Sequence, residues 1–214
     1  NQPGRAEEVA KNYIYKCDST NLYINKEYAY SLFMQFKYDE AIPKYEKLIA
    51  QGFDNFESNF ILGLCYEDQP DNEKALKHYQ KAVLFKSDNA TCLFHLALME
   101  KSFCMDSLSM AHFNQSLEVS LPKGRALRTY KWLADLHFQH HRYADAARDF
   151  ELCILYDEED NPLNYYNAAQ MFIASKNKLK AKLYLQMFLA NANRLEDKKE
   201  AAQLISKAKE QLKQ

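Results

Sequence analysis

The stretch that decides the fold runs from residue 62 to residue 83 and reads LGLCYEDQPDNEKALKHYQKAV. It has two halves, in which apolar residues recur at the i, i+3, i+4 and i+7 spacing of a helix. The stripe of the second half consists of Ala75, Leu76, Tyr79, Ala82 and Val83. A polar break at residues 69–72 separates the halves. The stretch therefore predicts two amphipathic helices joined by a tight turn.

The same arrangement recurs along the chain, marked by two small residues that lie twelve positions apart. The five pairs are Ala29 with Ala41, Gly63 with Ala75, Ala97 with Ser109, Ala134 with Ala146, and Ala169 with Ala181. Their first members are 34, 34, 37 and 35 residues apart. A large apolar residue follows sixteen positions after each first member: Tyr45, Tyr79, Phe113, Phe150 and Leu185. Small residues let helix backbones approach closely and the large residue fills the neighbouring groove, so five helical hairpins are predicted.

The composition agrees with helices and excludes several other classes of protein. The 214 residues include only 4 Gly and 5 Pro, too few for the many turns of a strand-rich fold. The 15 Tyr and 13 Phe must either fill gaps between helices or face a partner. No apolar run approaches the roughly 20 residues that span a membrane. The net charge of -1, with dispersed charges, argues against a nucleic-acid partner.

These features resemble the tetratricopeptide repeat, whose period is about 34 residues. The best matching copy contains residues 62–66, Ala75, Tyr79 and Ala82, and the fourth copy contains Leu133-Ala134, residues 143–146 and Phe150. The chain departs from the family pattern because every copy lacks the usual mid-repeat glycine and most lack the closing proline. The resemblance covers roughly residues 22–194. It implies an all-α, right-handed superhelical solenoid.

The repeats divide the chain into one predicted domain, residues 1–214. We expect an N-terminal helix at 5–21, interpreted as half of an incomplete repeat, and a capping helix at 195–213. The five repeats between them are predicted at 22–55, 56–89, 90–123, 127–160 and 162–194. The charged last helix is also open to a docking role. The residues Asp39, Asn72, Asp106 and Asn177 are expected to cap the second helices or to place acids in their first turns.

The resemblance implies a concave groove lined by the first helix of each repeat. The predicted groove residues of the first three repeats are Tyr23, Lys26, Tyr30, Phe33, Phe60, Leu64, Glu67, Phe94, Leu98 and Lys101. Those of the last two are Arg128, Lys131, Asp135, Phe138, Tyr166 and Gln170. Tyr, Phe and Arg dominate many protein-recognition surfaces. Lys26, Lys101, Arg128 and Lys131 are expected to favour acidic or carboxylate-bearing ligands.

Chaperone-binding members of the family hold a carboxylate with a Lys and an Asn four residues apart. Here Lys26 is followed by Tyr30 and Lys131 by Asp135, so that clamp is not reproduced. The residues His137, His140 and His141 raise the alternative of a metal site, but no third ligand is identifiable. His137 also occupies a core column. We therefore expect no metal, no cofactor and no enzymatic activity.

The five cysteines, Cys17, Cys65, Cys92, Cys104 and Cys153, show no CxxC pair and are expected to be small core residues. The compartment stays open between a bacterial cell envelope, if a leader was removed, and the cytoplasm. The leading hypothesis is a protein–protein interaction scaffold that binds a peptide or protein segment in the groove. The alternative is a structural module that self-associates, and the oligomeric state is left open.

Overall fold

The computed structural model describes residues 3–16 and 21–213, which form twelve α-helices and a short 3-10 helix without any strand. The predicted all-α fold class is confirmed. The helices form two compact units, residues 1–119 and 120–214, and each is described by itself. The prediction of one domain with the five stated repeat boundaries stays a prediction.

Unit 1 consists of seven helices, each of which packs against the next in chain order. They are α1 (Pro3–Lys16), α2 (Leu22–Met34), α3 (Tyr38–Ala50), α4 (Phe56–Asp68), α5 (Asn72–Phe85), α6 (Ala90–Ser102) and α7 (Asp106–Glu118). Three hairpins, α2–α3, α4–α5 and α6–α7, follow the lone helix α1. The predicted N-terminal helix thus begins two residues earlier than expected, and Cys17 lies outside the described residues.

Unit 2 consists of two hairpins and a final helix. Its elements are α8 (Lys123–Gln139), α9 (Tyr143–Tyr156), α10 (Pro162–Ala174), α11 (Lys178–Asn191), a 3-10 helix (Ala192–Arg194) and α12 (Lys198–Gln211). Ala208 of α12 is buried in a cluster with Tyr165, Leu185 and Phe188. The apolar face predicted for the last helix therefore packs on the preceding hairpin.

The small-residue pairs lie where the two helices of each hairpin meet. All ten residues of the five pairs are buried. In the third hairpin the Ser109 Oγ donates to the Ala97 carbonyl oxygen at 2.8 Å, across the helix contact. Of the large residues that follow each pair, Tyr45, Tyr79, Phe113 and Leu185 are buried and Phe150 is half-buried. The predicted packing role of both columns is confirmed.

The turns of four of the five hairpins keep a left-handed residue although no glycine stands there. Phe36, Cys104, His141 and Lys176 have φ values of 59°, 57°, 57° and 62°. The following N–H bonds back to the first helix, as from Lys37 to the Leu32 carbonyl at 3.0 Å. This is the closing bond of a Schellman turn, which satisfies a carbonyl at the helix end. Each non-glycine residue in this conformation costs roughly 1–2 kcal/mol.

The first helices are capped by asparagines at a regular spacing that sequence analysis overlooked. Asn21, Asn55 and Asn89 stand 34 residues apart, and each accepts a hydrogen bond from the N–H three residues on, at 2.9–3.1 Å. Among the second helices, Asn177 caps α11 as expected, and Asp39 and Asp106 lie in first turns. The expectation for Asn72 was wrong, because Asp71 is the cap that accepts from the Lys74 N–H.

Candidate functional site

The predicted groove residues of unit 1 lie on α2, α4 and α6, the first helices of its three hairpins. We define the unit 1 first-helix surface as Tyr23, Lys26, Tyr30, Phe33, Phe60, Leu64, Glu67, Leu98 and Lys101. Tyr23 is 65% exposed and Tyr30 is 39% exposed, and the other members are half-buried. Two tyrosine rings therefore stand out above a partly apolar face.

Aromatic rings contact one another within this surface. The Tyr30 and Phe33 ring centroids are 6.2 Å apart, and Phe60 stacks on Phe56 at 5.5 Å. Phe60 also meets the His95 ring of α6 edge-on at 6.3 Å. These distances lie in the range in which aromatic pairs attract each other. Contacts between rings thus hold the aromatic side chains of this surface in place.

Lys26 is not a free cation. Its Nζ lies 2.8 Å from the Glu57 Oε2 of α4, and the lysine side chain is only 19% exposed. The Glu57 carboxylate raises the pKa of the Lys26 ammonium above its usual value. The expectation that Lys26 selects acidic ligands is therefore not supported, because its charge is already compensated by a neighbouring first helix.

Glu67 joins two helices through one carboxylate oxygen. Its Oε2 accepts from the Tyr79 hydroxyl of α5 at 2.6 Å and lies 2.9 Å from the His95 Nδ1 of α6. The Tyr79 and His95 rings stack at 5.6 Å. Burial raises the pKa of Tyr79 well above its ordinary value, so the phenol stays a donor to this carboxylate. Glu67 thus holds the second and third hairpins of unit 1 together.

The assignment of Phe94 to the groove was wrong. Only 2% of this side chain is exposed, and its ring packs against Phe113 of the same hairpin at 6.0 Å. Phe60 holds the corresponding place in the preceding repeat, where it is half-buried. A partner of the folded protein would not contact Phe94, and it is therefore removed from the candidate site.

The predicted groove residues of unit 2 lie on α8 and α10. Arg128, Lys131 and Phe138 are exposed, whereas Asp135, Tyr166 and Gln170 are half-buried. The Tyr166 ring packs on Phe188 at 5.0 Å. Gln170 exchanges two hydrogen bonds of 3.0 Å with Gln211 of α12. Tyr166 and Gln170 therefore support the packing of unit 2, while Arg128, Lys131 and Phe138 face outward.

The histidines that raised a metal site take part in hairpin packing and turn structure. His137 is buried, and its Nδ1 lies 2.6 Å from the Asp149 carboxylate of α9. Burial raises the pKa of Asp149 to about 6, against the opposing effect of this hydrogen bond. The His141 Nδ1 lies 2.9 Å from the Tyr143 hydroxyl. Among the described residues, no three His, Cys, Asp or Glu side chains converge on a metal position.

At one position of the hairpin, the two side chains that face each other differ in chemistry from repeat to repeat. Tyr66 stacks on His78, and Phe172 stacks on Tyr184, with centroids 5.6 and 5.5 Å apart. In the repeats between them, the pair is Glu100 with His112 at 2.8 Å, or His137 with Asp149. In each case the partners are twelve residues apart. Buried acid–histidine pairs thus replace aromatic stacks at one structural position.

The cysteines are free thiols among the described residues. Cys65, Cys92 and Cys153 are buried, and burial raises the pKa of each thiol to about 12. These three fit the expectation of small core residues. Cys104 does not, because it is exposed in the left-handed turn position of the third hairpin.

Sequence analysis missed His95, which lies between two predicted site residues and contacts Phe60 and Glu67. Its signal was its position: His95 follows Phe94 directly and lies three residues before Leu98, on the same helix. A one-residue error in helix rotation exchanges the fully buried Phe94 ring and the half-buried His95 ring. His95 therefore supports the unit 1 first-helix surface through Phe60 and Glu67, whereas Phe94 lies in the core.

Helical hairpins that pack through small residues, with exposed aromatic rings on α2 and α8, are the architecture of a helical-repeat scaffold. Residues 29–90 match the family model described as tetratricopeptide repeat. Residues 29–90 thus carry the tetratricopeptide repeat, and the described helices have the all-α fold of a helical repeat solenoid. No helix in the described part of the chain combines the length and the apolar character needed to cross a membrane.

Solved structures share this fold at low sequence identity. One is YrrB, described as a TPR protein with an unusual peptide-binding site, with TM-score 0.73, 14% identity, and coverage of 94% of this chain and 99% of that one. A tetratricopeptide repeat protein from Parabacteroides merdae ATCC 43184 gives TM-score 0.62, 18% identity, and coverage of 99% and 91%. The MamA protein gives TM-score 0.66, 15% identity, and coverage of 82% and 95%. No curated protein matches the chain by sequence.

Proposed function

We propose that the protein binds an extended segment or a helix of another protein on the unit 1 first-helix surface. The carrying observation is the exposure of the Tyr23 and Tyr30 rings above a partly apolar face. Tyrosine supplies large contact area at low entropic cost and is enriched among residues that dominate binding energy. Tetratricopeptide repeat proteins generally act as scaffolds, and we assign no reaction to this chain.

The chemistry of the unit 1 surface favours an apolar or aromatic ligand side chain over a carboxylate. Lys26 is already paired with Glu57, and Glu67 is already bonded to Tyr79 and His95. A ligand carboxylate would have to compete with Glu57 for Lys26. In unit 2, α8 exposes both Lys131 and Phe138. We propose that this helix favours acidic segments with an apolar side chain.

The likeness to YrrB lends this proposal support at the level of the fold alone. That protein is described as having an unusual peptide-binding site, and its identity to this chain is 14%. At 14% identity, most side chains of the two proteins differ. The ligand class therefore has to be argued from Tyr23, Tyr30 and Phe60 of this chain.

Site-specific photo-crosslinking tests the proposal. The photoreactive residue benzoylphenylalanine is placed at Tyr30 in one variant and at Leu84 in a control. Leu84 is 86% exposed on α5, a second helix, and thus reports on contacts outside the proposed surface. We expect discrete crosslinked proteins from extracts of the native source with the Tyr30 variant alone. Equal crosslinking from both positions would contradict the assignment.

A second candidate function is self-association through the second helices, which carry exposed leucines. Leu179 and Leu183 lie one turn apart on α11 and are both exposed, as is Leu155 on α9. Surface leucines at this spacing offer an apolar stripe to another helix. Light scattering across a concentration range tests this function. A mass that stays monomeric at all concentrations excludes it, and a dimer that Leu179→Ser with Leu183→Ser dissociates supports it.

A further inference from the structure

A groove with a volume of about 440 Å³ lies in unit 2 between the α10–α11 hairpin and the end of α12. Ile173, Leu185 and Leu212 contribute apolar side chains to it. Ile173 is 40% exposed, so part of its side chain is open to solvent in the groove. The groove therefore offers an apolar floor to solvent.

Three lysines border this floor, and none of the described residues that line it is acidic. They are Lys176 in the turn before α11, and Lys178 and Lys182 one helical turn apart on α11. Each is exposed, and none forms an ion pair with a residue that the structure describes. Their neighbour Lys180, by contrast, lies 2.8 Å from the Glu151 carboxylate. Three uncompensated positive charges thus stand around one apolar groove.

We propose that this groove binds an acidic amphipathic segment of a partner protein. An apolar side chain of the segment lies on Ile173 and Leu212, and its carboxylates pair with Lys176, Lys178 and Lys182. Side chains four residues apart on a helix are about 5–6 Å apart at Cβ. The matching segment therefore presents two acidic residues three or four positions apart, next to a large apolar residue.

The groove fits this partner better than three others. It has no aromatic ring among its lining residues, and single-stranded nucleic acids are held largely by stacking on such rings. Its apolar floor is recessed between helices, whereas a lipid surface is flat. A second copy would offer the acidic run of residues 157–160, in which two carboxylates are already paired. Asp160 pairs with Arg194 at 2.7 Å, and Glu158 pairs with Lys123 at 3.2 Å.

This site is separate from the one in the proposed function. It uses Ile173 of α10, the hairpin turn, α11 and α12, and neither the unit 1 first-helix surface nor Lys131 of α8. Its chemistry also differs from that of the unit 1 surface, where Lys26 is paired with Glu57. A negative result for one site therefore does not contradict the proposal for the other site.

Fluorescence anisotropy with a labelled probe peptide tests the inference on the full chain. The probe is a helical peptide of about four turns with glutamates four residues apart beside leucines. Its control has glutamine at every glutamate. The test variant is Lys178→Glu with Lys182→Glu. The matched control variant is Lys77→Glu with Lys81→Glu, two exposed lysines at the same spacing on α5.

We expect the test variant to weaken binding of the acidic probe about tenfold or more, from two reversed surface ion pairs. The Lys77/Lys81 variant and the parent should bind alike, and the glutamine probe should bind weakly to both. Addition of the probe should shift the methyl NMR signals of Ile173 and Leu212 in the protein. The methyl signals of Leu64 and Leu98 in the unit 1 surface should not change.

Several results would overturn the inference. One is equal binding of the acidic probe by the test variant and the parent, with both folded by circular dichroism. Another is equal affinity for the glutamine probe. Binding of phosphatidylserine vesicles but not of the probe through the same lysines would assign the groove to a membrane. A dimer that the test variant dissociates without any peptide would assign it to a second copy.

Discussion

The Cε1 atom of Tyr79 lies 2.5 Å from the position that a β-carbon on Gly63 would occupy. Tyr79 is fully buried, and two further ring atoms lie within 2.9 Å of that position. The Tyr79 ring of the second helix therefore occupies the space that a side chain on Gly63 of the first helix would need. This contact explains why a small residue stands at this position of the repeat.

Replacing Gly63 by alanine is expected to destabilise unit 1 by roughly 1–3 kcal/mol, because the added methyl overlaps a ring that has no room to move. Chemical denaturation followed by circular dichroism measures the change. Gly124→Ala is the matched control, since a β-carbon there meets nothing within 4 Å and the residue lies in α8. The control should be neutral or slightly stabilising. Equal stability of the two variants would contradict the contact.

Two tyrosines at the same repeat position are expected to respond oppositely to loss of their hydroxyl. The Tyr45 hydroxyl is buried without a hydrogen-bond partner among the described residues, whereas the Tyr79 hydroxyl donates to Glu67. Tyr45→Phe should stabilise the protein by about 1 kcal/mol, and Tyr79→Phe should destabilise it by about 1–2 kcal/mol. Denaturant midpoints of the two variants measure this. Shifts of the same sign would show that the Tyr45 hydroxyl is satisfied.

Sequence reasoning identified the hairpins because their signal is local and repeated. Ala29, Gly63 and Ala97 stand at a fixed period, and a buried small residue is needed wherever two helices touch. The side-chain partners were less predictable. Phe60 and Phe94 share a repeat position, yet only Phe94 is buried, since a small rotation of the helix decides which ring faces the core.

The polar pairs inside the hairpins could not be read from single residues. Glu100 stands where other repeats carry an aromatic residue, and it is buried because His112 of the second helix faces it. The signal was the twelve-residue separation, which also relates His137 to Asp149. It became interpretable once the structure showed that this separation places two side chains across one hairpin.

The Asp149 carboxyl is expected to make the stability of unit 2 depend on pH. Its pKa is about 6 when folded, above the ordinary value of 3.8, because burial disfavours the charged form. Its contribution is therefore fully present below about pH 4 and is lost as the pH rises through 6. The loss amounts to roughly 3 kcal/mol. Asp149→Asn should lack this loss.

Denaturation of the parent and of Asp149→Asn between pH 4 and pH 7 measures the effect as a difference. The stability of the parent relative to the variant should fall across this range. The His137 contact is kept by the amide, so the variant should stay folded. A difference that is constant with pH would show that Asp149 does not titrate there.

Glu7 is expected to control the packing of α1. It accepts from Lys11 at 2.5 Å and from Lys37 and Gln35 at 2.8 Å, and these contacts lower its pKa to about 2. A lowered pKa adds stability at neutral pH that is lost as the pH falls from about 4.5 towards 2. Glu7→Gln should therefore speed amide hydrogen exchange in α1 at neutral pH. Glu8→Gln, at an exposed neighbour, should not, and equal exchange in both variants would contradict this role.

The most direct test of the central claim measures the affinity of a crosslinked partner for three forms of the full chain. The forms are the parent, Tyr23→Ala with Tyr30→Ala, and the control Leu84→Ala. Because the tyrosines carry the exposed ring area of the unit 1 first-helix surface, we expect the double variant to bind about tenfold more weakly or worse. The control should bind like the parent. Unchanged affinity of the folded double variant would contradict binding on this surface.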